Sequence, residues 1–275
     1  MKQDQGPKQQ KPQLQQRGPA VRGDVAPAAP EQQEVERGHS YAAGAALRSN
    51  HNTGEGGSGT VVTEIDTRAG ELSEQHGQLI YSQSLNAKVP QHAIAAVVLA
   101  ESSLLGRDAA GASRTPLRFE PYAFYERTGK WLVATHKDQA AEYAAFEQAK
   151  SVDEDAALQS VRVGLGQLQG GEAHAAGYAD AAEMIEAMRG DEVAQIQGLG
   201  RVVAQNDALA SALASEDWAA VAVMRAGPAY GALGYDQALA SYAAAYQRAT
   251  SHGGDDSDDD DDKRDKNRRR ATSRG

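Results

Sequence analysis

The chain has no cysteine, which excludes a disulfide framework and a thiolate metal site and leaves no thiol through which activity could respond to redox state. It also lacks any apolar run of about 18 residues, the length a membrane-spanning helix needs. Its start, Met1-Lys2-Gln3-Asp4-Gln5, has no apolar segment of the kind that directs secretion. The expectation is a chain made in the cytoplasm without a signal peptide and without a membrane span. Basic charge is in short supply: 28 Lys and Arg stand against 38 Asp and Glu, a net charge of -10, which argues against nucleic acid as a partner of the core.

Large apolar side chains are scarce at both ends. Residues 1–60 are rich in Gln, Gly, Pro and Ala, as in Lys8-Gln9-Gln10-Lys11-Pro12-Gln13. Such a segment cannot bury enough surface to offset the entropy of ordering, and it reads as a disordered arm. Residues 253–275 pass from the acidic block Asp258-Asp259-Asp260-Asp261-Asp262 to Arg268-Arg269-Arg270, the pattern of a solvated charged tail, with a docking tail for another protein or for nucleic acid as the alternative. The acidity lies between them, where residues 61–252 hold 24 acidic against 14 basic side chains.

That middle is alanine-rich and reads as helical almost throughout. Residues 67–87 carry Leu72, Leu79, Ile80 and Leu85 at helical spacing, and Val89-Pro90 ends that helix. Ser151-Val152-Asp153-Glu154 and Asp180-Ala181-Ala182-Glu183 have the spacing of capping boxes and mark helix starts. Further helices are expected over 192–205, 216–224 and 237–248. Alternation of the strand type is confined to Thr60-Val61-Val62-Thr63-Glu64-Ile65 and Lys130-Trp131-Leu132-Val133, too little for a sheet. No internal repeat is present. The fold class is mainly α: one helical domain over 61–252 between disordered ends at 1–60 and 253–275.

The segment around which this domain is organised runs from Val89 to the acid that closes it, Glu101. At about 3.6 residues per turn, Ile94, Val97, Val98 and Glu101 share one face, so Glu101 should point inward with the aliphatic residues. Desolvation there favours the protonated carboxyl that a general acid needs. The alternative is that Glu101 closes the last turn of a core helix and reaches solvent.

Two glycine-bearing stretches interrupt the helices. Gly164-Leu165-Gly166-Gln167-Leu168-Gln169-Gly170 lets the backbone turn tightly or approach a ligand, with Gln167 offering an amide. It is not a phosphate loop, since no Lys-Ser or Lys-Thr follows and no strand is expected before it. Ala226-Gly227-Pro228-Ala229-Tyr230-Gly231-Ala232-Leu233-Gly234-Tyr235 is a turn with two tyrosines, whose flat faces and hydroxyls suit a sugar ring. Each stretch also fits an ordinary interhelical turn.

In order along the chain, Ala100-Glu101-Ser102-Ser103, Leu117-Arg118-Phe119-Glu120-Pro121, Ala157-Leu158-Gln159-Ser160, Gly164-Leu165-Gly166-Gln167, Asp217-Trp218-Ala219-Ala220 and Gly227-Pro228-Ala229-Tyr230 resemble the N-acetylmuramidase family of phage endolysins and bacterial cell-wall hydrolases, within the wider lysozyme-like group. The resemblance covers about residues 67–250. It implies a lysozyme-like fold and a glycosidase that cuts peptidoglycan between N-acetylmuramic acid and N-acetylglucosamine. Glu101 would be its general acid. Glu120 would be the second carboxylate, steadying an oxocarbenium-like transition state or activating water; its alternative is a surface acid paired with Arg118 or Arg127. Ser102, Gly164, Gln167 and Tyr230 would line the saccharide groove. No cofactor or metal is implied.

The chain departs from the family pattern at Val163, where a tryptophan is common, and at Arg225-Ala226, where Tyr-Asn is common; both changes would take groups from the groove. A chain of this kind would act on the cell wall, carried there by a phage virion or through a holin-type pore, with its ends available to other virion proteins. Three classes of function follow: a muramidase, with a lytic transglycosylase as a variant; a lysozyme-like virion or peptidoglycan-binding module with little activity; and an unrelated helical interaction protein. A chain cut to residues 61–252 is expected to keep its cooperative melt and any lytic activity. A large fall in melting temperature would show that an end packs onto the domain.

Overall fold

The computed structural model describes residues 63–103, 115–134, 138–228 and 230–251, so the expected arm at 1–60 and tail at 253–275 lie outside the described residues. Helix α1, Glu64–Ala87, begins at Thr63, whose hydroxyl accepts the Asp66 N–H while the Asp66 carboxylate accepts the Thr63 N–H. This capping box puts Glu64 and Ile65 in a helix although their alternation with Thr60 and Val62 reads as a strand. The helix closes at Lys88 in the left-handed conformation (φ 57°). Past Val89 and Pro90, helix α2 spans Gln91–Ser103.

From residue 93 to Glu101 no side chain of α2 is more than 3% exposed. The expected one-sided helix is buried all round, with α1 against it together with two later helices, α9 (Asp207–Ala214) and α12 (Tyr235–Ser251). Ala93, Ala95, Ala96 and Ala100 are the reason: their small side chains let neighbours approach on faces that a period reading assigns to solvent. Burying Ile94, Val97, Val98 and Leu99 stabilises the fold by about 1.5–3 kcal/mol each.

A small antiparallel sheet stands beside this bundle. Strand β1 (Leu117–Phe119) leads to α3 (Pro121–Thr128), α4 (Gln139–Val152) and α5 (Glu154–Gln159), then to β2 (Val161–Val163) and β3 (Leu168–Gln169). The order is β1-β2-β3, with Leu117 opposite Val163 and Val163 opposite Leu168. Strands of two or three residues carry no readable alternation, and so the sheet is absent from the sequence-based expectation, whereas 130–133, which alternates, forms no strand. The glycine-bearing stretch is the β2–β3 hairpin, so a strand does precede it. The helix start expected at Ser151 lies two residues later. Asp153 accepts the Ala156 N–H as the cap of α5, and the Ser151 hydroxyl donates to Gln148 O inside α4.

The remainder is helical: a 3-10 turn at Gly170–Glu172, then α6 (Ala173–Ala176), α7 (Ala181–Ala187, capped by Asp180 as expected), α8 (Glu192–Gln205), α9, α10 (Trp218–Ala226), α11 (Tyr230–Leu233) and α12. Helix α10 starts two residues after the expected 216, because Glu216 turns left-handed (φ 55°) and Asp217 takes the cap.

Two apolar cores result, one around α2 and a smaller one of Leu117, Phe119, Phe124, Phe146 and Val161. Strand β2 joins them, with Val161 in the small core and Val163 in the large one. Gly170 sits where this junction is tightest: a Cβ there would lie 1.9 Å from the carbonyl oxygen of Leu158. Gly170→Ala is therefore expected to destabilise the protein by roughly 2–4 kcal/mol, because the clash is with backbone that cannot rotate away. Thermal or urea unfolding reads this, and an unchanged midpoint would disprove the close approach.

Candidate active site

Glu101 ends the buried run of α2 and is 1% exposed, so the solvent-reaching alternative does not hold. Its Oε1 accepts the hydroxyl hydrogen of Tyr235 at 2.7 Å, and the Arg225 Nε lies 3.7 Å from the same oxygen, a charge contact longer than a hydrogen bond. Among the described residues nothing donates to Oε2. The protein holds one oxygen of the carboxyl group and not the other.

Arg225, 4% exposed, is the centre of the arrangement. Its Nη2 donates to Gly166 O at 2.6 Å and to Gln167 O at 3.0 Å, and its Nη1 to Glu172 Oε1 at 3.3 Å. Its own carbonyl accepts Arg162 Nη2 at 3.2 Å. Desolvation of this side chain would lower its proton affinity, but the carboxylates of Glu172 and then Glu101 outweigh that, and the guanidinium is held above the ordinary arginine value.

The hairpin that Arg225 grips is shaped by its own backbone. Gly164 (φ 78°) and Gln167 (φ 47°) both lie in the left-handed region, which glycine tolerates and glutamine does at a cost of order 1 kcal/mol. A Cβ at Gly164 would approach Gln195 Cγ to 2.9 Å, so the turn is pressed against α8. Gln167 is itself buried, its Nε2 donating to Gly164 O at 2.9 Å while Oε1 takes no hydrogen bond from the described residues.

The expected site residues stand in different relations to Glu101. Gly164 and Gln167 are tied to Glu101 through Arg225. Glu120 faces Arg118 Nε at 3.4 Å and Arg162 Nε at 3.2 Å, so its pairing with Arg118 is present, while Arg127 instead donates to Ala123 O. It connects to Glu101 through the chain Arg162, Arg225. Ser102 hydrogen-bonds Leu99 O and Arg68 Nη2 beside Glu101. Tyr230 packs partly buried against the large core; the tyrosine that reaches Glu101 is Tyr235, at the far end of the same turn.

Val163 is buried in β2 between Leu117 and Leu168 and presents no face to a groove. Arg225, a point of departure from the family pattern, does not merely leave a gap; it supplies the cation beside the acid. Tyr235, Arg225, Glu172 and Arg162 are the site residues that sequence reasoning missed. The only signal was position: Tyr235 closes the second glycine stretch, and Arg225 immediately precedes it. Among the described residues, no group of three or more His, Asp and Glu side chains could hold a metal ion.

The N-acetylmuramidase family model matches residues 90–249. Among solved structures, the chain is similar to that described as the crystal structure of Burkholderia AP3 phage endolysin, at 26% identity and a TM-score of 0.52, over 63% of this chain and 70% of that one. No curated protein matches it. The fold is accordingly mainly α and lysozyme-like.

Removing the hub should show in stability. Arg225→Met leaves the buried Glu101 carboxylate and Glu172 without their cation and frees two hairpin carbonyls, with an expected loss of about 3–5 kcal/mol; Tyr235→Phe, which removes one hydrogen bond to a buried acid, should cost about 1–3 kcal/mol. Urea unfolding measures both. A variant Arg225→Met as stable as the parent chain would contradict the hub.

Proposed function

The chain belongs to the N-acetylmuramidase family and is a glycosidase of peptidoglycan; from that premise we propose that it is phage-encoded and cleaves the bond between N-acetylmuramic acid and N-acetylglucosamine by proton transfer from Glu101. The observation that carries this reading is the asymmetry of the carboxyl group, with Oε1 fixed by Tyr235 and Arg225 and Oε2 without a described partner. Glu101 passes its proton from Oε2 to the glycosidic oxygen as the bond from C1 of muramic acid breaks. A water then adds to C1 as it gives a proton to a second carboxylate, and Glu101 regains its proton from solvent. Water activation is assigned to Glu120, the nearer candidate in sequence for a second carboxylate.

A lytic transglycosylase is the second reading, favoured by the engagement of Glu120 with Arg118 and Arg162. In that case Glu101 alone acts, first as acid and then as base, and the 6-hydroxyl of muramic acid attacks C1 to give a 1,6-anhydro end.

Glu101→Gln keeps the shape of the side chain and an oxygen for Tyr235 but has no proton to give. Lysis of purified peptidoglycan should fall by on the order of 10²-fold or more, with the melting temperature preserved. Mass analysis of the parent chain's products separates the two readings, since hydrolysis leaves reducing muramic ends and transglycosylation leaves anhydro ends. Substantial lysis by a folded Glu101→Gln protein would refute both.

A further inference from the structure

Three of the guanidiniums around Glu101 are matched to acids: Arg225 to Glu101 and Glu172, and both Arg118 and Arg162 to Glu120. The fourth is different. Arg68, in the second turn of α1 and only partly buried, donates Nη1 to the Tyr242 hydroxyl at 3.2 Å and Nη2 to Ser102 Oγ at 3.3 Å, and its Cζ lies 5.7 Å from the Tyr242 ring centroid. All of these partners are neutral. Its hydrogen bonds are long, and a guanidinium has five N–H donors, so donors remain to spare.

The position matters as much as the lack of an acid. Ser102 is the next residue after Glu101. Tyr242 follows Tyr235 by seven residues on α12, two turns or about 10 Å along the helix axis and on the same face. One face of α12 therefore carries both hydroxyls, Tyr235 to the acid and Tyr242 to the cation. In an acidic chain, a partly exposed arginine held in place by an aromatic ring and two hydroxyls is a preorganised receptor for a carboxylate, which it can take bidentately. Helix α1 also lies before the span that the family model matches, 90–249, so Arg68 belongs to a part of the chain outside that span.

We propose that Arg68 binds a carboxylate carried by the muramic acid residue of the glycan strand, so that the chain reads the charge on its substrate beside the bond it cuts. This rests on the muramidase reading. The carboxylate has two sources of the same chemistry, the peptide stem and the lactyl group that is freed when the stem is removed. A purely structural role exists as the rival, since a cation near the last turn of α2 also complements the helix dipole.

The test uses the full chain and three forms of one wall preparation: native peptidoglycan, the glycan after amidase removal of its stems, and native peptidoglycan with its carboxyls methyl-esterified. Binding is read by co-sedimentation with the insoluble wall, which requires no cleavage, and KM and kcat are read separately. Arg68→Met is expected to weaken binding to native wall and raise KM about tenfold or more with kcat little changed, while the esterified wall is bound equally by parent and variant. Arg68→Lys should recover part of the loss. A loss on native wall that disappears on amidase-treated glycan assigns the stem, and a loss that appears only on amidase-treated glycan assigns the lactyl carboxylate.

An equal loss on native and esterified wall, or no loss on either native wall or amidase-treated glycan, overturns the proposal, the first outcome pointing to the structural role. The melting temperature of Arg68→Met separates misfolding from lost recognition. If Glu101→Gln retained full lysis while the Arg68 effect on binding stood, the catalytic assignment would fail and the carboxylate site would not.

Discussion

A buried guanidinium holds this active site together. Taking Arg225 out of water is unfavourable by several kcal/mol unless its charge and donors are met; its charge and its two Nη groups are met by groups from three separate parts of the chain: Glu101 at the end of α2, the carbonyls of Gly166 and Gln167 in the hairpin, and Glu172 in the turn that follows. Each of these would be costly to leave unpaired, so the requirement is mutual and fixes the hairpin against the acid. Arg162 extends the connection by donating to the Arg225 carbonyl while facing Glu120. The two apolar cores meet along β2 with little surface of their own at the join, and this polar network crosses it. A network of that kind specifies one arrangement more than it adds stability.

Preorganisation follows from the same network. A general acid must hold its reacting oxygen in one place before substrate arrives. The Tyr235 hydroxyl and the Arg225 guanidinium both address Oε1, so rotation that would exchange the two oxygens breaks both contacts. Helix α2 adds rigidity from behind, because every residue from 93 to 100 is buried and no slack remains for the helix to shift.

How much of this the sequence discloses depends on the range of the interaction. Local signals worked: Val89-Pro90 ends α1, Asp180 caps α7, and the apolar run places Glu101 inside. Helix α8 spans 192–205 as its periodicity implies. Signals fail where tertiary contacts decide. The sheet rests on strands of two and three residues, with β1 pairing to β2 across more than forty positions, and Ser151 loses the cap to Asp153 because α4 runs on to Val152. Arg225 was visible only as a residue in an unexpected place. Nothing in its neighbours along the chain announces that its partners stand 53 to 124 positions away, because a buried salt-bridge network has no period and no local composition.

Arg225 beside a general acid poses an apparent contradiction, since a cation opposes the protonated carboxyl that such an acid requires. The contradiction dissolves when the charge is followed through the step. In the proposed step, the proton that leaves Glu101 for the glycosidic oxygen leaves negative charge on the carboxyl, and the fixed guanidinium at 3.7 Å and the Tyr235 hydroxyl at 2.7 Å already face it. Stabilisation that grows with the developing charge acts on the transition state more than on the ground state, and that difference is what accelerates a reaction. Glu172 tempers the cation by sharing it, so the acid faces a guanidinium whose charge is partly balanced. A chain with a neutral side chain at position 225 would lack both the fixed charge facing Oε1 and the tie that holds the hairpin against the end of α2.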